Sequence, residues 1–390
     1  MAATAAPAPA PSSSAPGADF AKGLEGIIAG ETAICCIEQD KLIYRGYDIH
    51  DLAEHATFEE VAFLLLVGHK PGKEELSSFK REIVAERALP THVVQFLRDS
   101  VGAIRAGHAV PMDLLRTAVS MLGHADAESQ DNSPGANLRK SKRLLARIAT
   151  IIGHMQNFID GRDIVQPDAG LDHAANLLWM MTGRKPSPEE ARIIDVSLTL
   201  YAEHDFNAST FTSRVIAGTL SDMHGAVTGG IAALKGPLHG GANEEAMEML
   251  KEIGSLDNVD RFMADAFATK RKIMGFGHRV YKNGDHRAGI LHALGRAYAQ
   301  RKGPDAMKWF DIGERVQKIM LEQKKIWPNV DFPCGMTYFV MGIPVPQYTP
   351  IFVAARIAGW AAHVMEQHAN NRLIRPLSKY TGPALRTWNG

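Results

Sequence analysis

The sequence predicts an all-α protein that carries one short β-hairpin near its N-terminus. Apolar residues recur three and four positions apart through most of the chain, which is the period of helices that bury one face. Two capping boxes, Thr57 with Glu60 and Ser187 with Glu190, mark helix starts. Strands and helices do not alternate, so the pattern does not predict a doubly wound sheet.

Local signals predict the elements in order. Residues 32–47 read as two short β runs around a polar turn at 38–41. Thr57 begins a helix that Gly68 and Pro71 end, and Pro188 begins another that reaches Tyr201. Helical spacing also predicts helices over 114–122, 138–158, 171–182, 244–253, 259–274, 287–302, 309–325 and 349–366.

Length and composition limit the class of protein. The 390 residues suffice for two domains, or for one large domain with a lobe. With 43 basic and 43 acidic residues the formal net charge is +0, so no net field attracts nucleic acid or an acidic membrane surface. No apolar run approaches the roughly 20 residues that span a bilayer. Three cysteines cannot all pair, which predicts a reducing, cytoplasmic compartment.

The N-terminal stretch predicts a disordered tail over residues 1–19. Residues 1–17 are dominated by Ala, Pro and Ser and contain neither arginine nor an apolar core. They therefore match neither a secretory signal nor a transit peptide.

A turn rich in small residues, 236–243, carries His239 and opens into the helix predicted from Glu244. The first N–H groups of that helix, and the positive end of its dipole, would face an anion or a developing oxyanion beside His239. The same field disfavours imidazolium, so His239 is predicted to be a neutral hydrogen-bond donor. The alternative is a Gly-rich loop with an incidental surface histidine.

A second histidine, His278, lies in the Gly-bearing stretch 275–282, with Arg287 nine residues later. The stretch lacks the third glycine and the preceding strand of a dinucleotide loop. Two glycines let the backbone approach a ligand, and an arginine can bind a carboxylate with two hydrogen bonds. A loop between helices, with solvated Arg and Lys, is the alternative.

Two further candidates have apolar surroundings. Asp331 lies on a Pro-bounded turn, 327–333, where desolvation would raise its pKa and its strength as a base. Otherwise it caps the next turn. Arg356 lies in a strongly apolar helix, where burial requires an anionic partner unless the side chain snorkels to the edge. Arg375 precedes the C-terminal tail, where exposure is the default expectation.

Together these residues predict proton abstraction next to a carbonyl in an anionic substrate. Asp331 would remove the proton, a neutral histidine would hold the enolate, and arginines would hold carboxylates. No serine or cysteine lies in a nucleophile elbow. The histidines lack close metal-ligand spacing, so a zinc site is unsupported and no metal is predicted. No other cofactor is predicted either.

Five segments, 201–210, 236–243, 275–282, 328–332 and 375–382, resemble the citrate synthase family in its short bacterial form. The resemblance runs from about residue 23 to 383, with the motifs in the family's order and spacing. It implies condensation of acetyl-CoA, or a close acyl-CoA, with oxaloacetate, followed by thioester hydrolysis.

The resemblance also implies a role for each matching residue. Asp331 matches the base that removes the α-proton, His239 the neutral donor to the enol, and His278 the residue that polarises the oxaloacetate carbonyl. The remaining matches are His204, Arg287 and Arg356 as oxaloacetate ligands, Arg375 as an arginine supplied by the neighbouring subunit, and, more loosely, Lys282 as a ligand to CoA phosphates.

The implied architecture is an all-α homodimer with a shared site. Each subunit would have a large domain (20–239 and 343–390) and a smaller mobile domain (240–342) that closes over the substrates. Two departures from the family pattern are His286, where a proline usually precedes Arg287, and Pro333-Cys334, where an aromatic-serine pair is commoner. His286 could loosen the turn that aims Arg287, and either departure could alter affinity or acyl preference.

Two other functions stay open on the sequence alone. A 2-methylcitrate synthase, which uses propionyl-CoA, would share every residue named so far. One methylene in an apolar pocket changes specificity by only about 1–3 kcal/mol, so one enzyme could use both substrates. The chain could also be a non-catalytic helical assembly protein, although the three acid-base residues argue against that.

Overall fold

The computed structural model describes residues 21–38, 41–278, 280–281 and 284–388. These residues contain sixteen α-helices and three short β-strands, so the predicted all-α fold with an N-terminal hairpin is confirmed. Every helix in these ranges is too short or too polar to cross a membrane. The predicted tail, residues 1–19, lies outside the described residues.

The described residues divide into two compact units. The larger unit is Thr32–Ile374, and the other comprises residues 21–31 and 375–388. All of the following helices belong to the larger unit. In chain order they are α1 (Ile49–His55), α2 (Phe58–Val67), α3 (Lys73–Ala85), α4 (Thr91–Arg105), α5 (Pro111–His124), α6 (Pro134–Ile159), α7 (His173–Thr182), α8 (Pro188–Tyr201), α9 (Ala208–Ala217), α10 (Met223–Leu234), α11 (Ala242–Ile253), α12 (Val259–Ala268), α13 (His286–Lys302), α14 (Pro304–Lys324), α15 (Asp331–Val340) and α16 (Tyr348–Ala369).

The sheet is antiparallel, in the order β1 (Cys35–Glu38), β2 (Lys41–Tyr44) and β3 (Tyr47–Asp48). Cys35 pairs with Tyr44, which fixes the register of the predicted hairpin. The third strand was not predicted because two residues are too few to display an alternating pattern.

Both predicted capping boxes are present. The Thr57 hydroxyl accepts from the N–H of Glu60, and the Glu60 carboxylate accepts from the N–H of Thr57 at 2.8 Å. Ser187 and Glu190 exchange the equivalent bonds at 3.2 and 2.8 Å. Each box satisfies N–H groups that the first helical turn would leave unpaired, which is why α2 and α8 begin where the sequence predicts.

Two helix predictions were wrong in ways that affect the site. The helix predicted over 259–274 ends at Ala268, because Lys270 takes a left-handed conformation with φ 57°. The stretch 327–333 was predicted as a turn, but α15 begins at Asp331 and contains Pro333. A proline in the first helical turn costs no hydrogen bond, since that N–H has no partner inside the helix.

Helix α16 lies at the centre of the larger unit. It is buried along almost its whole length and packs against α2, α6, α8, α9, α10 and α11. Arg356 and Trp360 are the largest of its enclosed side chains. A polar or charged group that points out of α16 is therefore surrounded by protein on several sides.

Helices α11 to α15 pack mainly with one another: α13 contacts α14 and α15, α11 contacts the same two helices, and α12 contacts α14. They cover most of the predicted small domain, 240–342. The division between this domain and a large one (20–239 and 343–390) stays a prediction.

Candidate active site

Two loops, residues 275–278 and 327–330, pair through their backbones and bring His278 near the start of α15. Gly277 donates to the Trp327 carbonyl at 2.8 Å, and Asn329 donates to the Gly275 carbonyl at 2.9 Å. Gly275 has φ 80°, and a Cβ there would lie 2.8 Å from the Cβ of Phe332. Only glycine fits this close, left-handed position.

Asp331 is the first residue of α15, and its carboxylate is held from another helix. Its Oδ1 accepts a 2.7 Å hydrogen bond from the hydroxyl of Tyr201, the last residue of α8. Burial raises the pKa of Asp331 to about 6, although this bond and the charges of Arg287 and Arg356 oppose the shift. Near neutral pH the group is therefore an ionised base that is stronger than an ordinary aspartate.

The backbone fixes the tautomer of His278. Its Nδ1 accepts from the N–H groups of Val280 at 3.1 Å and Tyr281 at 3.3 Å. Since an N–H can only donate, the ring proton must be on Nε2. Burial, and then the charge of Arg287, lower the pKa of His278 to about 4. The ring is thus a neutral donor through Nε2.

His204 lies beside His278. The two ring centroids are 4.9 Å apart, and His204 Nε2 lies 3.1 Å from the hydroxyl of Tyr281. Burial, followed by the charge of Arg287, keeps the pKa of His204 well below its ordinary value. The structure therefore places two neutral imidazoles and one phenol together.

His239 lies in the turn between α10 and α11 and contacts Ser209, near the start of α9. The Ser209 N–H donates to Nε2 of His239 at 3.3 Å, and the Ser209 hydroxyl lies 2.8 Å from the same nitrogen. A donor at Nε2 leaves the ring proton on Nδ1. Burial, and then the charge of Arg356, lower the pKa of His239 to about 4, so this ring is also neutral.

Arg287 is buried and forms a bidentate pair with Asp285, at 2.9 and 2.8 Å. Although burial opposes the charge, this pairing raises the pKa of Arg287. Asp285 also accepts from the N–H of Val330 at 3.0 Å. Asp285 binds the Nε and Nη2 edge of the guanidinium, and Nη1 donates to the Leu200 carbonyl at 3.3 Å. One N–H on Nη1 and one on Nη2 therefore remain to bind a second anion.

Arg356 is only 1% exposed, and its Nε donates to the carbonyl of Tyr201 at 2.7 Å. Its Nη1 is buried without a hydrogen-bond partner, and no carboxylate of the described residues forms an ion pair with it. The expectation of an anionic partner is thus not met within the described chain. The Phe352 ring, 4.8 Å away, and the Tyr201 carbonyl stabilise the cation only in part.

The six candidates in the larger unit form one cluster. The charge of Arg356 acts on His204, His239 and Asp331, and that of Arg287 acts on His204, His278 and Asp331. Arg375 belongs to the other unit, and Lys282 lies outside the described residues.

Several residues that hold these side chains were not predicted from the sequence to have a role: Tyr201, Ser209, Tyr281, Asp285 and Phe352. Asp285 carried a usable signal, since it stands two residues before Arg287 and accepts from its N–H as an N-cap. Tyr201 carried none, because it lies 130 residues from Asp331 in the chain.

The fold and the cluster define a helical protein with a buried acid-base site and two arginines. A family model described as "Citrate synthase, C-terminal domain" matches residues 23–377. The chain belongs to the citrate synthase family.

Individual relatives agree with this assignment. The chain is 42% identical to citrate synthase 2 of Bacillus subtilis over 362 residues, which cover 93% of this chain and 96% of that protein. It is 43% identical to 2-methylcitrate synthase of Shewanella oneidensis, with coverage of 93% and 95%. The citrate synthase of Thermoplasma acidophilum, solved as a ternary complex with carboxymethyl coenzyme A and oxaloacetate, superposes with a TM-score of 0.89 at 30% identity, covering 95% of this chain and 98% of that one.

Proposed function

We propose that the protein is a citrate synthase, an acyltransferase that condenses acetyl-CoA with oxaloacetate and hydrolyses citryl-CoA to citrate and CoA. The observation that carries the proposal is the carboxylate of Asp331, with a pKa raised to about 6, in one cluster with neutral histidines and two buried arginines. This combination suits proton removal from a weak carbon acid next to an anionic partner. Membership of the citrate synthase family supports it.

In the first step Asp331 takes a proton from the methyl group of acetyl-CoA. The electron pair moves onto the thioester oxygen, where Nδ1–H of His239 donates a hydrogen bond to the developing enolate. A neutral donor suits this position because it matches the weakly basic enol better than an imidazolium would. Ser209 at Nε2 keeps the proton of His239 on Nδ1.

In the second step the enol carbon attacks the keto carbon of oxaloacetate. Nε2–H of His278 donates to the keto oxygen and gives it this proton as the new carbon-carbon bond forms, and a solvent proton then restores Nε2–H. Arg287 and Arg356 bind the carboxylates, with His204 as a further ligand. Water then attacks the thioester of citryl-CoA and the C–S bond breaks. The CoA thiolate takes the proton that Asp331 removed, and the proton of the attacking water passes to solvent. No metal or other cofactor takes part in the proposal.

Closure of the small domain, 240–342, over the large one would assemble this site. The proposed small domain contains His278, Arg287 and Asp331, and His239 lies at its boundary. Closure would exclude water until the enol has reacted. Lys282 is proposed to contact the CoA phosphates.

Propionyl-CoA is the alternative acyl donor, since one relative at 43% identity is named 2-methylcitrate synthase. We expect release of free thiol from acetyl-CoA that depends on oxaloacetate, with a kcat/KM above that for propionyl-CoA. Initial rates with both thioesters in the presence of a thiol reagent measure this, and reactions without oxaloacetate give the background. A higher kcat/KM for propionyl-CoA would favour the alternative. No release from either thioester would support a non-catalytic assembly protein.

A homodimer with a shared site predicts complementation between two inactive variants. Arg375→Ala and Arg356→Ala should each weaken oxaloacetate binding. In a mixed dimer one of the two sites would have both arginines intact, because each subunit of a two-fold dimer supplies the same surface to its partner. We therefore expect activity to return when the variants are unfolded and refolded together, as measured by CoA release. Refolding each variant alone is the control, and no gain on mixing would exclude a shared site.

A further inference from the structure

The hydrogen bond from Tyr201 to Asp331 joins two helices at the reacting carboxylate. Tyr201 is 2% exposed and ends α8, whereas Asp331 begins α15. The phenol oxygen lies 2.7 Å from Oδ1 of Asp331. Oδ2 has no hydrogen-bond partner among the described residues. The two carboxylate oxygens therefore have different environments: Oδ1 accepts a hydrogen bond, and Oδ2 accepts none from the described residues.

The phenol of Tyr201 has little freedom to turn away. Its ring packs on Phe352 with centroids 4.3 Å apart, and its backbone carbonyl accepts from Nε of Arg356. Cys334, one turn after Asp331 on α15, brings its thiol beside the phenol. A thiol accepts hydrogen bonds weakly, so it does not compete with the carboxylate for the phenol proton.

Tyr201 also keeps that proton. Burial, and then the charge of Asp331, hold the pKa of the phenol well above its ordinary value. The group thus stays a donor throughout the pH range in which Asp331 titrates. A donor to a carboxylate favours its ionised form, which limits how far burial raises the pKa of Asp331.

We propose that Tyr201 is a positioning residue that fixes the plane of the Asp331 carboxylate and leaves Oδ2 free to remove the carbon-bound proton. The proposal rests on the proposed function, in which Asp331 is the base. Because near-attack geometry strongly affects rate, a carboxylate that rotates freely would be a poorer base even if correctly ionised. Sequence spacing could not reveal this role, since only the fold joins the two helices.

Other groups act on the same carboxylate and must be held constant in a test. They belong to three segments besides α8: the start of α13, α16 and α15 itself. The groups are Asp285 and Arg287, Arg356, and Cys334. Substitution of Tyr201 by phenylalanine alters none of them and retains the carbonyl that binds Arg356.

Tyr201→Phe should move the acidic limb of the kcat profile to higher pH by about one unit, because loss of a bond to a charged group removes its preference for the ionised form. The wild-type limb is expected near pH 6. On the alkaline plateau kcat should fall about tenfold through lost orientation. KM for oxaloacetate should not change. Initial rates of CoA release across pH measure all three.

Tyr338→Phe is the matched control. This buried tyrosine on α15 also lies beside Cys334, but its hydroxyl lies 2.5 Å from Oγ of Ser197 and does not bond Asp331. The control should leave the limb in place. Equal shifts in both variants, or no shift in Tyr201→Phe, would overturn the proposal.

A second measurement separates this proposal from the proposed function. The ¹³C carboxyl resonance of Asp331, assigned by its loss in Asp331→Asn, titrates whether or not the protein turns over substrate. A higher midpoint in Tyr201→Phe supports the Tyr201 bond, and an unchanged midpoint contradicts it. Absence of turnover in the wild type would instead contradict the proposed function.

Discussion

Asp331→Asn is expected to lower kcat by about 10²- to 10⁴-fold, which is the usual contribution of a positioned acid-base group. The amide cannot accept the carbon-bound proton, yet it retains an oxygen for the Tyr201 hydroxyl and nearly the same volume. Oxaloacetate binding should be unchanged, because the proposed ligands of its carboxylates are arginines. CoA release measures the first effect and calorimetric titration with oxaloacetate the second.

The matched control for this substitution is Asp311→Asn, which removes an exposed carboxylate from α14. It should leave both kcat and binding at the wild-type level. If Asp331→Asn instead abolishes oxaloacetate binding along with turnover, Asp331 is a structural residue and another group must be the base.

Arg356→Met should separate binding from stability. We expect the Kd for oxaloacetate to rise by roughly 30- to 5000-fold, or about 2–5 kcal/mol, the range for loss of one partner from a buried charge pair. Stability should stay the same or increase by about 1–4 kcal/mol, because methionine removes a buried charge that has no carboxylate partner within the described chain. Calorimetry and urea unfolding measure the two quantities.

Arg214→Met provides the contrast. Arg214 is also buried, but its guanidinium pairs with Glu366 at 2.6 Å and bonds Gln367 at 3.1 Å. Its removal should destabilise the protein, because Glu366 loses its ion pair with Arg214. If Arg356→Met lowers the free energy of unfolding as much as Arg214→Met does, Arg356 stabilises the fold and is not a binding site for an anionic ligand.

Prediction from the sequence succeeded where a signal is local. Capping boxes placed the starts of α2 and α8, and helical spacing identified most of the long helices. It failed at α15, because the stretch around Asp331 combines an asparagine and two prolines, which favour turns when read alone. Pro333 is compatible with α15 only because it falls in the first turn of that helix.

The residues of the candidate site likewise fall into those that local sequence identified and those that it did not. Residue type and the neighbouring glycines identified His239 and His278, and apolar surroundings identified Asp331 and Arg356. Their partners could not be found, since Ser209 and Tyr201 reach the site from helices distant in the chain. Long-range contacts follow from packing, which local spacing does not encode.

The two departures from the family pattern have a structural account. Asp285 holds both the N–H and the guanidinium of Arg287, so His286 does not loosen that arginine. His286 itself packs edge-on against His50, with centroids 5.6 Å apart. Cys334 is fully buried beside Tyr201, and Asp331 in this chain accepts its hydrogen bond from the Tyr201 hydroxyl.

The carboxylate of Asp285 spans two functions, since it touches both the guanidinium of Arg287 and the backbone at Val330, one residue before Asp331. If an anion bound to Arg287 shifts that side chain, the shift would reach the segment that carries Asp331 through Asp285. Such a linkage is reciprocal. If bound oxaloacetate raises the affinity of the protein for acetyl-CoA, bound acetyl-CoA must raise the affinity for oxaloacetate by the same factor. In the proposed function, this one side chain would connect an oxaloacetate ligand, Arg287, to the segment that carries the base.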